Sequence, residues 1–121
     1  MEYSILSNEE ASAKRITEDW GSLQWLASRK IGNAEGLVLG RVIIKPGQSN
    51  PRHSHPNCEE VLYLMRGRME HTVDDETVIL SAGDVITLPP GVFHNAVNIG
   101  DDDADMIVVY SAGVREFQLE S

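Results

Sequence analysis

"PGQSNPRHSHPNCEEVLYLMRG", Pro46 to Gly67, sets two of the chain's four histidines one residue apart and follows them with paired glutamates, inside a run that otherwise reads as strand. Side chains of a strand alternate between its faces, so His53 and His55 point the same way, about 7 Å apart along the backbone, with Ser54 on the opposite face. That separation suits convergence on one ion. Imidazole is the commonest metal ligand, and two same-face rings need only a carboxylate and another imidazole from neighbouring strands to complete a mixed nitrogen and oxygen shell. Glu60 and His94 are the candidates for those places. Taken alone, the His-x-His pair reads equally well as two exposed or hydrogen-bonded rings.

From Leu23 onward the chain runs in short segments rich in Val, Ile, Leu and Tyr, interrupted every eight to twelve residues by Gly, Pro, Asn or Asp. An all-β sandwich or barrel is written in this way. The expected strands are Leu23–Ala27, Leu37–Ile44, Arg52–His55, Glu60–Met65, Met69–Val73, Thr77–Leu80, Val85–Leu88, His94–Asn98 and Met106–Tyr110. Asp74 and Asp75 form a plausible hairpin tip. Only Ser7–Ile16 suggests a helix, with Ser7 and Glu10 spaced as a capping box. At 121 residues the chain suits one domain. Residues 1–20 then form an N-terminal extension, and 21–121 the barrel.

Ten Lys and Arg against nineteen Asp and Glu give a formal charge of -9, and the basic residues are scattered. No basic stripe follows a phosphate backbone, so nucleic acid is not an expected partner. No segment approaches the ~18 unbroken apolar residues of a membrane-spanning helix, and the first residues lack the apolar core of a secretory signal. A cytoplasmic protein without a membrane partner is expected. The single cysteine, Cys58, excludes an intramolecular disulfide framework and a Cys-rich zinc site. The run Asp101–Asp105, DDDAD, lacks the Gly and distal Glu of a calcium loop and reads as a solvated turn.

The glycines change the weight of the histidines. Gly47, His53, His55, Glu60 and Gly67 fit G-x5-H-x-H-x4-E-x6-G, and Gly83, Pro89, Gly91, His94 and Asn98 fit G-x5-P-x-G-x2-H-x3-N. These patterns resemble the two motifs of the cupin superfamily at every specified position. The resemblance implies a double-stranded β-helix, or jelly-roll barrel, with a pocket at one mouth. It also implies His53, His55, Glu60 and His94 as ligands of one divalent transition metal ion, iron, manganese, nickel, copper or zinc. Glu59 competes with Glu60, but Glu60 has the motif's spacing to Gly67 and shares strand parity with Leu62 and Leu64. Gly67 and Gly83 fall where hairpin corners need a positive φ or a close backbone approach.

Other residues carry open alternatives. His71 falls on the inward face of its strand, as a pocket residue or a core histidine with a backbone partner. Arg41 reads as a substrate-carboxylate contact or, more simply, a snorkelling or interface arginine. Cys58 is a reactive loop thiol or a buried filler, and Asn98 a strand-end hydrogen-bonding residue. Trp20 and Trp25 cover a core edge, a partner subunit or a substrate. Cupins commonly pair through their N-terminal strands, so the resemblance implies a homodimer. The expected protein is a small metal-dependent enzyme acting on a small oxygenated molecule, as an isomerase, cyclase, lyase or dioxygenase does. The alternative is a non-catalytic binder of a sugar or organic acid.

Overall fold

The computed structural model describes residues 2–121. A short helix, α1 (Asn8–Ala13), precedes strands β1 (Ile16–Glu18), β2 (Gly21–Ala27), β3 (Val38–Ile44), β4 (His53–Ser54), β5 (Glu60–Arg66) and β6 (Arg68–Val73). The chain continues through β7 (Glu76–Ser81), β8 (Val85–Leu88), β9 (His94–Asn98), β10 (Ala104–Tyr110) and β11 (Gln118–Leu119). Two antiparallel sheets result, ordered β1-β2-β3-β10-β5-β8 and β11-β4-β9-β6-β7. Facing each other, they make a jelly-roll β-barrel.

Alternation in the sequence becomes alternation in burial. Val38, Gly40, Val42 and Ile44 of β3 point inward while Leu39, Arg41 and Ile43 point out, and Glu60, Leu62 and Leu64 of β5 share the inner face. Ile44, Leu64, Met69 and Ala104 are wholly inaccessible and fill one end of the barrel. Strands β5, β6 and β10 carry Glu60, His71 and Tyr110 towards the other end, where β9 adds His94. The tight packing at the closed end fixes backbone positions at the open one.

The expected hairpin corners are present. Gly67 has φ 98° and Gly83 φ 97°, and a Cβ on Gly67 would lie 2.9 Å from Ala104 Cα. Asp74, at the β6–β7 tip, adopts φ 50°, a left-handed conformation that Asp tolerates. The helix is shorter than Ser7–Ile16, because Ile16 leaves it to open β1, which pairs with β2. Ser7 does cap it, its Oγ accepting from the Glu10 amide at 3.1 Å. Two strands were not expected, β1 and β11; both are exposed and too short to show a period. The DDDAD run is only partly a solvated turn. Asp101 to Asp103 are exposed, but Asp105 opens into β10 and is buried, forming a bidentate pair with Arg41 at 2.9 and 2.6 Å. Arg41 therefore lies on the outer face of the sheet, away from the barrel interior. Among the described residues no helix is long and apolar enough to cross a membrane.

Candidate metal centre

Each sheet contributes one side of the site. Glu60 opens β5 in the first sheet, directly across from Tyr110 on β10 and Leu88 on β8. In the second sheet His53 on β4 faces His94 on β9, and Val73, two residues beyond His71 on β6, is paired with His94. His55 leaves β4 into a turn whose carbonyl accepts from the Gly91 amide at 3.1 Å, tying the two histidine-bearing segments together. His53, His55, Glu60 and His94 are all buried, and one potential ligand atom from each lies within 4.8 Å of the others.

Backbone carbonyls orient the three rings. His53 Nδ1 donates to Pro51 O at 2.6 Å, His55 Nδ1 to Glu116 O at 2.8 Å and His94 Nδ1 to Val92 O at 3.0 Å. A carbonyl only accepts, so each Nδ1 carries a proton and each ring turns its Nε2 inward, the nitrogen that offers a lone pair whenever the ring is neutral. Glu60 Oε1 then stands 3.0 Å from His94 Nε2 and 3.3 Å from His55 Nε2. His55 Nε2 has no hydrogen-bond partner, although it is buried. Lone pairs opposed at this distance repel unless a cation lies between them. Bonds of ~2.1 Å at right angles give donor separations of about 3 Å, close to those of Glu60 Oε1 from the His94 and His55 nitrogens. The donor set therefore fits a metal ion.

Electrostatics favours the same state. Burial, opposed by the Pro51 carbonyl, lowers His53 to about 4, which keeps it neutral and able to coordinate at neutral pH. Burial would raise the Glu60 carboxyl, but the two rings beside it, His55 and His94, outweigh burial and hold it ionised, at about 2. His53 is thus a neutral nitrogen donor and Glu60 an anionic oxygen donor at neutral pH.

Three of the four, His53, Glu60 and His94, line a cavity of about 220 Å³, with His55 packed behind them. Leu23, Val42, Leu62, Met106 and Val108 make its apolar walls, and Trp20, Trp25, Tyr110 and Phe117 add aromatic ones. Trp25 has room because Gly40 lacks a side chain; a Cβ there would lie 2.6 Å from its ring. His71 also lines the cavity, its ring stacked on His94 at 5.7 Å and 15°. The backbone partner expected of a core histidine is missing, since neither ring nitrogen has one, and burial lowers its pKa to about 4.

Cys58 is buried in the core cluster, and burial, with Glu60 nearby, raises its pKa, so it is a filler rather than a reactive thiolate. Asn98 is the strand-end residue expected, donating to Ile44 O and Asp102 O at 2.8 Å and accepting from the Gly100 amide at 2.9 Å. Sequence reasoning missed the segment after Tyr110. Asn57 clips it, donating to Val114 O and accepting from the Glu116 amide, both at 2.8 Å. This places the Phe117 ring against His53 at 4.8 Å and 24°, and Arg115 Cζ 4.4 Å from the Trp25 ring centroid. Only the alternation of Phe117 and Leu119 in "VREFQLE" hinted at it.

The cupin-domain family profile matches residues 40–110. Polyketide synthase CurC of Streptomyces cyaneus is 33% identical over 87 residues, covering 72% of this chain and 56% of that protein. Germin-like protein subfamily 3 member 2 of Arabidopsis thaliana is 31% identical over 104 residues, covering 69% and 46%. The chain thus spans about half the length of these curated relatives. Lactobacillus farciminis oxalate decarboxylase in a formate complex superposes with TM-score 0.82 at 25% identity, covering 88% of this chain and 33% of that one. Bacillus subtilis oxalate decarboxylase, described with Mn(II) centres, superposes with TM-score 0.84 at 22% identity, over 91% and 31%, a likeness of fold alone.

Proposed function

The chain belongs to the cupin family, and from that premise we propose that it is a metal-dependent enzyme acting on a small oxygenated organic molecule. The observation that carries this reading is the convergence of three imidazoles and the Glu60 carboxylate within 4.8 Å of one another, with His53, Glu60 and His94 opening onto a cavity. His53, His55, Glu60 and His94 would hold one divalent ion of iron, manganese, nickel, copper or zinc. Such an ion supplies Lewis acidity to a ligand oxygen, or a site for dioxygen if it is iron or copper.

The chain's own residues supply the rest. Pro51, Glu116 and Val92 carbonyls fix the ring orientations, so the donor set is in place before any ion or ligand arrives. Apolar walls exclude water and strengthen every charge interaction within. A cavity of about 220 Å³ is below the ~300 Å³ where drug-sized pockets begin, which limits the enclosed part of a substrate to a few heavy atoms. The largely apolar lining also suits a pocket that holds its ligand without turning it over, the competing reading. Turnover separates the two: metal-replete protein is assayed with small diketones, keto acids and sugar acids, with oxygen consumption followed in parallel. Turnover abolished in Glu60→Ala supports the enzyme, and saturable binding without turnover supports the module.

The reading extends to a single-domain, cytoplasmic homodimer. Val61, Tyr63 and Val85 leave an exposed apolar strip on the outer face of the first sheet, and β1 is an unpaired edge, both suited to a second copy. Cys58 as the only cysteine, free and buried, suits a reducing compartment.

A further inference from the structure

A groove of about 260 Å³ adjoins the metal cavity and shares three walls with it, Trp25, Arg115 and Phe117. Ser28, Lys30 and Val38 continue it away from the metal group. In a chain of net charge -9, this groove is lined by two cations and no carboxylate. Arg29, Arg41 and Arg52 are paired with Glu35, Asp105 and Glu120, whereas among the described residues neither Arg115 nor Lys30 has an acidic partner. Glu116, next to Arg115 in the chain, is exposed and lines neither space, and Glu18 and Glu60 belong to the metal cavity alone.

Arg115 is also held in place. Its Cζ lies 4.4 Å from the Trp25 centroid, 5.2 Å from Phe117 and 5.5 Å from Tyr110, and the segment carrying it is clipped by Asn57 and by the His55 ring. Cation–π contact fixes a guanidinium without neutralising it, so the charge stays available. Little ordering entropy remains to be lost when an anion arrives.

We propose that Arg115 and Lys30 form an anion subsite, so that the ligand is an organic anion longer than the metal cavity: its oxygenated end enters the cavity and its negative group lies in the adjoining groove. Trp25 and Phe117 clasp the apolar stem between those ends. This inference rests on the cavity being the ligand site of the proposed function. A carboxylate and a phosphate ester present the same charge to a guanidinium, and the two are separated by choice of probe.

The test is calorimetric titration of metal-replete protein, its metal content measured, with 5-oxohexanoate, the uncharged methyl ester of that acid, and hydroxyacetone phosphate. The acid is expected to bind about tenfold more tightly than the ester, the worth of a hydrogen-bonded charge. Lys30→Gln should weaken acid binding several-fold and leave ester binding and metal content unchanged, and Arg115→Gln should weaken acid binding several-fold more than it weakens ester binding, with Arg115→Lys restoring part of that difference. A preference for hydroxyacetone phosphate over the acid, lost in the same variants, assigns the subsite to phosphate esters. Lys30 is exposed, so its variant reads the subsite without threat to folding. Equal affinity for acid and ester, acid binding unchanged within twofold in both Gln variants, or no binding of either charged probe at millimolar concentration overturns the proposal. Failure of the metal reading shows separately, as wild-type protein that takes up no metal while the preference for acid over ester persists.

Discussion

At the scale of single residues, the site depends on which nitrogen of each ring faces inward. His53→Ala and Glu60→Ala each remove one donor, and metal affinity is expected to fall by at least ~100-fold, since loss of even an outer hydrogen-bonding partner costs 10- to 100-fold. Elemental analysis after dialysis reads this; full occupancy in both variants refutes the ligand assignment. The metal-free protein should lose stability in acid. His53 and His71 have folded pKa values of about 4 against an ordinary 6.5, so the unfolded chain takes up protons first as pH falls. Their contribution is complete above pH 6.5 and is lost as pH falls through 4, on the order of 3 kcal/mol per ring. Urea midpoints of metal-free protein should therefore fall between pH 7 and pH 4.5, and less steeply in His71→Leu; equal midpoints contradict the assignment. Glu60, held at about 2, adds a loss only below its ordinary 4.5. The four candidate ligands were legible because spacing and strand parity are local properties. That His71 lacks any partner was not, because only the packed barrel decides what surrounds a buried ring.

At the scale of elements, the segment Gly113–Phe117 matters most for how the cavity is closed. Asn57→Ala removes both clips on it, at a cost of about 1–2 kcal/mol, and should speed exchange of the Glu116 amide hydrogen. Unchanged exchange would show that the segment is held by its rings alone. The main strands were readable from their alternation, and β5 and β9 match expectation to within a residue at each end. β1, β11 and the Arg115 segment were not. Two or three exposed residues have no period, and their position is set by long-range contacts such as β11 on β4 and His55 on the Glu116 carbonyl.

For the whole molecule, ion binding and folding are linked. An ion at a hundred times its dissociation constant should stabilise the fold by about 2.7 kcal/mol at neutral pH. That protection should fade in acid, because protons compete for the same imidazole nitrogens; protection unchanged well below pH 6.5 speaks against imidazole ligation. The barrel was legible from two motifs and the rhythm of turns, while the cavity's shape was not, since it comes from Gly40 admitting Trp25 and from a C-terminal wall. The most direct test is X-ray absorption of the metal-loaded protein at the metal edge. Three imidazole nitrogens and one carboxylate oxygen at about 2.0–2.2 Å are predicted, with the imidazole signal reduced in His53→Ala. Sulfur neighbours, an absence of imidazole scattering, or protein that takes up no ion would contradict the shared-cation site on which the functional reading stands.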